Sequence, residues 1–344
     1  MELPNTKYYI FKMKLLPAEI NKIVIFRALQ LGDMLCTIPA IKALRYAYPN
    51  AHITLIGLPW AKSFTERFNK YFDGFITFAG YPGLPEQPFN PANFTRFLAE
   101  VQNEQFDLVI QMQGNGSIIN PMMELFGAKY TAGFSKPDHY APNNGLFLPY
   151  PEYGHEIERH LLLLHHLGIP SQGTDLEFPL FAEDEEKLAS LNLGLEPQKY
   201  VCVHPGSRGS WRQWPVEHFA TLADYCAGQG LKVVLTGTKE EADIINSVIS
   251  HMKHEAINTA GLTSVGAVAL LIKNAALLIS NCTGVSHISA AFKTPSIVLS
   301  MDGEPHRWGP MDKQIHRTIN WLQEPDFNLV FGETVDLLKQ TLKN

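Results

Sequence analysis

Long apolar runs, a basic excess and paired cysteines are all missing from this chain of 344 residues. Each absence excludes something. Lysine and arginine number 28 against 34 aspartates and glutamates, so the net charge of −6 lacks the positive surplus that draws a protein to a phosphate backbone, and no nucleic-acid partner is expected. The four cysteines, Cys36, Cys202, Cys226 and Cys282, show no C-x-x-C spacing, which argues against a disulfide framework and for reduced thiols in the cytoplasm. The first residues, "MELPNTKYYIFKMKLLPAEINK", break their short apolar stretch at Lys12 and Lys14 and offer no small-residue cleavage site, so neither a signal peptide nor a membrane span is expected there. The chain also lacks the Asp-x-Asp pair that holds a metal on a nucleotide diphosphate. His165 with His166, and His251 with His254, find no third ligand at matching spacing, so no metal site is expected.

What is present is an ordinary globular composition, 45% hydrophobic and 18% charged, over about twice the usual domain length of ~150 residues. Two domains are expected. Residues 1–150 carry 13 Lys+Arg and 11 Asp+Glu; the totals then leave 15 and 23, so the two parts have net charges of +2 and −8. The first part therefore approaches an anionic surface more readily, which allows peripheral contact with a membrane face.

One plan occurs twice. "KIVIFRALQLGDMLCTIPAIKALRYAYPNAHITLIG" reads as apolar strand, glycine-containing loop, helix and second strand, with Ile38, Ile41, Leu44 and Tyr48 on one helical face. "KYVCVHPGSRGSWRQWPVEHFATLADYCAGQGLKVVLTG" repeats it, with Val216, Phe219, Leu222, Ala223 and Cys226 on the helix face. Apolar strands alternating with helices give parallel sheets covered on both sides, so the expected fold is α/β, two Rossmann-like domains facing each other across a cleft. The join is placed near Glu177–Lys187, giving domains 1–180 and 181–344, with the last helix free to return to the first domain. The proline-rich "YPGLPEQPFNPANF" reads as a surface loop of the first domain, suited to a lid.

Ligands of such folds bind beyond the carboxyl ends of the strands. Three loops qualify. "HPGSRGSWRQWP" and "NCTGVSH" combine small residues, hydroxyls and a helix start, which suits a phosphate, and Arg208 and Arg212 add full charges. The competing reading makes Thr283 a helix cap and leaves the arginines solvated. In "LTGTKEEAD", Glu240 or Glu241 follows the second strand where an acid meets ribose hydroxyls; either also suits a helix's first turn. In "LQLGDM", Asp33 is a candidate general base or an N-cap.

These segments, with "HEIERHLLLLHHLGIP", "NTAGLTSVGAVALLIKNAALLISNCTGVSHISAAFKTPSIVLS" and "RWGP", resemble the family 9 glycosyltransferases, the ADP-heptose:lipopolysaccharide heptosyltransferases, in order from about Lys22 to Pro310. The resemblance implies a GT-B fold and inverting, metal-independent transfer from a nucleotide sugar, ADP-linked, to a glycan or lipid-linked glycan. It further implies Asp33 as the acid that activates the acceptor, Gly206 and Ser207 as a phosphate loop, Arg212 as the basic residue before Trp-Pro, and Thr283 with Gly284 as the paired hydroxyl and glycine. Glu240 or Glu241 would take the ribose. The family's Asn-Asp-Thr-Gly is here Asn281, Cys282, Thr283 and Gly284, and its Gly-Pro-Thr-Asp-Pro is Met301 to Pro305. Cys282 is read as packing or as a change to the sugar pocket. Two alternatives to the transferase stand: a GT-B nucleotide-sugar epimerase, or a binding protein without turnover.

Overall fold

A computed structural model describes residues 19–142 and 146–343. Most of the amino-terminal stretch discussed above lies outside the described residues. The chain divides into two compact units, with the boundary between Thr174 and Asp175.

The first unit holds a six-stranded parallel sheet. Its strands are β1 (Lys22–Phe26), β2 (His52–Gly57), β3 (Gly74–Thr77), β4 (Leu108–Gln111), β5 (Tyr130–Ser135) and β6 (Leu146–Pro149), in the order β3-β2-β1-β4-β5-β6. The central strands are apolar along their whole length because helices cover both faces: Ile23, Val24, Ile25 and Phe26 are all buried. An aromatic core sits on one side, where Phe26 meets Phe78 edge to face with centroids 5.0 Å apart and Phe97, Phe106 and Phe126 close the cluster. The proline-rich segment divides in two. Asn90 caps the helix Pro91–Asn103, its side chain accepting from Asn93 N–H at 3.0 Å, so the "PANF" end of the expected loop is the helix's first turn, and Phe94 packs on the core.

The second unit repeats the topology. β7 (Tyr200–His204), β8 (Lys232–Leu235), β9 (Ile257–Asn258), β10 (Leu277–Asn281), β11 (Ser296–Ser300) and β12 (His316–Asn320) form a parallel sheet in the order β12-β11-β10-β7-β8-β9. The last helix, Phe327–Lys343, contributes Val330, Leu337 and Leu338 to the core of this unit, beside Phe219 and Trp214. In both sheets the order of strands reverses beside the first one, between β1 and β4 and between β7 and β10. Those two reversals are where open α/β sheets leave a crevice for ligands.

Two histidines are buried where a positive charge is disfavoured. Burial pushes both His160 and His316 down to about 4, and the Arg27 charge adds to the effect at His160. A folded value below the ordinary 6.5 means that the unfolded chain takes up the proton first as the pH falls, so stability present above about 6.5 is lost on the way down to 4. The expected loss is up to roughly 3 kcal/mol per imidazole. Urea midpoints measured from pH 7 to pH 4 should show it, and His160→Gln should flatten the curve; an equally steep decline in that variant would contradict the assignment.

Candidate active site

Because every strand of the second sheet is parallel, the loops that follow β7, β8, β10 and β11 all emerge at one edge. That edge gathers most of the expected donor-site residues. The loop after β7 runs from Pro205 to Pro215 and includes a 3-10 turn, Ser210–Arg212. It is pinned at both ends by Asn281, the buried last residue of β10: Asn281 Nδ2 donates to Pro205 O at 2.7 Å, and Asn281 Oδ1 accepts from Trp214 N at 3.0 Å. Trp214 is itself fully buried, edge to face against Phe219 and Trp321. Ser207, Arg208 and Arg212 therefore ride on a loop with fixed feet.

Within this loop the side chains differ sharply. Ser207 is buried and its carbonyl accepts from Gln213 Nε2 at 3.3 Å. Arg208 is exposed and pairs with no carboxylate among the described residues. Arg212 pairs through Nη2 with Asp302 Oδ2, on the loop after β11. Burial raises the Asp302 carboxyl, but hydrogen bonds from Ser300 and Glu304 N–H, together with the Arg212 charge, outweigh it and hold the group below the usual range.

At the end of β10, Thr283 occupies the N-cap position of the helix Gly284–Phe292, yet its side chain makes no capping bond; its hydroxyl faces Asn281 O at 3.4 Å. The capping alternative for Thr283 thus fails, and the helix start is left without a side-chain cap. Cys282 is buried, and its thiol is pushed up to about 12, by burial first and then by the Asp302 charge. Such a thiol stays protonated at neutral pH and packs as a small, weakly polar group.

The structure separates the two acidic candidates after β8. Glu240 is exposed, and the structure does not bring it into the cluster. Glu241 Oε2 accepts from Thr238 N at 2.8 Å in a capping box, and the same carboxylate lies against the loop after β7, where a Cβ on Gly206 would meet Glu241 Oε1. A side chain at position 206 would displace the Glu241 carboxylate from this position.

In the first unit, Asp33 stands at the reversal between β1 and β4. It lies in the first turn of the short helix Leu31–Leu35, whose N-cap is Gln30, so Asp33 is not the cap. Its carboxylate is about a quarter exposed and lies 3.9 Å from Arg27 Nη2. Arg27 is 1% exposed and spends its donors widely: Nε on Asp33 O at 3.0 Å, Nη1 on Met112 O across the reversal, and Nη2 on Glu156 Oε1 at 3.1 Å. Glu156 also meets Arg159 Nη1 at 3.6 Å and His160 Nε2 at 3.3 Å. With His160 neutral, two guanidinium ions face the two carboxylates of Asp33 and Glu156.

Sequence reading missed Arg27, Glu156, Asn281 and Asp302. Their only signal was proximity to the segments already singled out. Among the described residues, no three of His, Cys, Asp and Glu group so as to hold a metal ion; His254 instead meets Asp224 Oδ1 at 3.1 Å. No helix among them is long and apolar enough to cross a membrane.

Two doubly wound parallel sheets in one chain, with hydroxyls, arginines and an uncapped helix start collected at the second reversal, define the GT-B fold. The chain belongs to glycosyltransferase family 9 (heptosyltransferase), whose sequence pattern matches residues 94–330. Among curated proteins it is similar to lipooligosaccharide heptosyltransferase 2 of Haemophilus influenzae, 24% identical over 299 residues, 81% of this chain and 83% of that one. Among solved structures it resembles a family 9 glycosyl transferase from Veillonella parvula, with a TM-score of 0.73 at 22% identity over 94% of this chain and 95% of that one. The E. coli ADP-heptose lipopolysaccharide heptosyltransferase II matches with a TM-score of 0.73 at 18% identity, over 93% and 99% of the two chains.

If Asn281 is the pin, Asn281→Ala strands the buried Trp214 N–H and should destabilise the protein by roughly 1–3 kcal/mol. Urea titration should give a lower midpoint with an unchanged slope. Wild-type stability in the variant would mean that the loop holds itself.

Proposed function

We propose that the protein is an inverting, metal-independent heptosyltransferase that moves a heptose from an ADP-linked donor to a lipopolysaccharide-core acceptor. The observation that carries this reading is the content of the two reversals: a partly exposed carboxylate at the one in the first unit, and arginines, hydroxyls and uncapped helix amides, groups suited to an anion, at the one in the second. Displacement at an anomeric carbon needs both a proton acceptor and a stabiliser of the leaving diphosphate. The names of the curated and solved relatives support heptose, ADP and a lipooligosaccharide or lipopolysaccharide acceptor.

In this mechanism Asp33 takes the proton from the acceptor hydroxyl as it attacks from the face opposite the diphosphate. The bond to the diphosphate breaks with inversion, and ADP leaves. Arg212, Arg208, Ser207, Thr283 and the amides that begin at Gly284 meet the charge that grows on the departing phosphate, donors already in place before the reaction. Glu241, fixed by Thr238 N–H and lying against Gly206, is the residue for the ribose hydroxyls. The acceptor is lipid-anchored, so the reaction belongs at the cytoplasmic face of a membrane, with the protein in peripheral contact.

Replacing Asp33 by Asn removes the base without touching the diphosphate. Turnover should fall by roughly 10² to 10⁴ while ADP affinity stays near wild type. A variant that instead loses ADP affinity but turns over normally at saturation would show that Asp33 is no base.

Donor and metal are tested together. ADP at a hundredfold excess over its dissociation constant should add about 2.7 kcal/mol of stability, more than GDP or UDP at the same concentration, and EDTA should leave transfer from ADP-heptose unchanged. A stronger shift with another diphosphate would reassign the base, and loss of transfer in EDTA would reinstate a metal.

A further inference from the structure

The loop after β11, where the Met301 to Pro305 departure lies, holds a carboxylate paired with Arg212. Asp302 Oδ1 accepts from Ser300 Oγ at 2.8 Å and from Glu304 N–H at 3.2 Å, and its side chain is only 10% exposed. Both bonds come from its own loop, so the carboxylate is oriented whether or not Arg212 is present. The remaining oxygen, Oδ2, takes Nη2 of Arg212. Arg212 remains one-third exposed, and its Nε and Nη1 donate to nothing among the described residues. The Trp211 ring lies 5.5 Å from the guanidinium carbon.

We propose that Asp302 is a positioning residue for the donor diphosphate: it grips the Arg212 guanidinium by one nitrogen and turns the free donors of the fork toward the anion. This rests on the reading of Arg212 as a diphosphate ligand. A guanidinium suits the task because its five N–H groups lie in one rigid plane, so fixing one edge fixes the direction of the other. The arrangement is possible because β7, β10 and β11 are neighbours, which brings Arg212, Cys282 and Asp302 to adjacent strand ends. Cys282 lies in the field of both charges. The opposite reading, that Asp302 competes with the diphosphate for Arg212, predicts the opposite sign for its removal.

The test is a double-mutant cycle on the full chain, comparing wild type, Asp302→Asn, Arg212→Ala and the double variant, with ADP affinity by calorimetry, kcat and KM for ADP-heptose, and urea midpoints. Asn can still accept from Ser300 and Glu304 N–H, so the midpoint should hold. ADP should bind about tenfold more weakly and kcat/KM should fall on the order of 10²-fold, as expected when a catalytic cation is misaimed. In the Arg212→Ala background, Asp302→Asn should add nothing, because its effect passes through the arginine. Tighter ADP binding by Asp302→Asn, unchanged binding, or additive losses in the double variant would each overturn the proposal. If Asp302→Asn does not fold, Ser300→Ala, which removes one anchor of the same carboxylate, must weaken ADP with the same dependence on Arg212 or the proposal fails. A wild-type protein that binds no nucleoside diphosphate sinks the transferase reading and this inference together; one that binds and transfers normally while Asp302→Asn matches it sinks this inference alone.

Discussion

A strand that runs parallel to its neighbour has to be re-entered from the same end, so every crossover in these two sheets delivers the chain back to one edge and leaves the polar turns collected at the other. The rest of the structure depends on that constraint. Because the strand order reverses beside the first strand of each unit, residues remote in sequence become neighbours there: Asn281 ties to Pro205 and Trp214 across separations of 76 and 67 residues. The hydroxyl and glycine after β10 and the arginine loop after β7 are thereby brought to adjacent strand ends.

The two units handle positive charge in contrasting ways. Arg27 is wholly buried and saturated, its three nitrogens committed to a backbone carbonyl of its own loop, a carbonyl across the reversal and the Glu156 carboxylate. Taking such a charge out of water is tolerable only with that full set of partners; truncating Arg27 would leave Glu156 to Arg159 at 3.6 Å, and truncating Glu156 would leave Arg27 with the more distant Asp33 carboxylate at 3.9 Å. Arg212 is held at a single nitrogen and open to solvent elsewhere. One guanidinium is fully committed; the other keeps donors free on its exposed side.

Much of this was legible in the residues. The repeated strand-loop-helix-strand order gave the doubly wound sheets, because continuous apolar strands next to 3.6-residue periodicity have few other solutions. The positions of Asp33, Ser207, Arg212 and Thr283 followed from loops that interrupt that pattern with small and polar residues. What could not be read was pairing over distance. Nothing local links Arg27 to Glu156, 129 residues away, or Arg212 to Asp302, 90 away. The choice between Glu240 and Glu241 turned on helical phase: one residue of rotation sends Glu240 to solvent and brings Glu241 back to Thr238 N–H. The end of the proline-rich segment was misread as loop because Asn90, its cap, and Pro91, a favourable first helical residue, both also suit turns.

The bare start of the helix Gly284–Phe292 has a further consequence. A helix lacking its cap gives up about 1 kcal/mol relative to one that has it, and here the residue at the cap position is a threonine, chemically able to close the turn but making no such bond. The first turn is therefore an unfinished piece of secondary structure, and an anion bound there would complete it. Occupancy and local order become one event: the amides of Gly284 and Val285 would exchange with solvent while the site is empty and fall silent when it fills, making this single turn a built-in reporter of the loaded state.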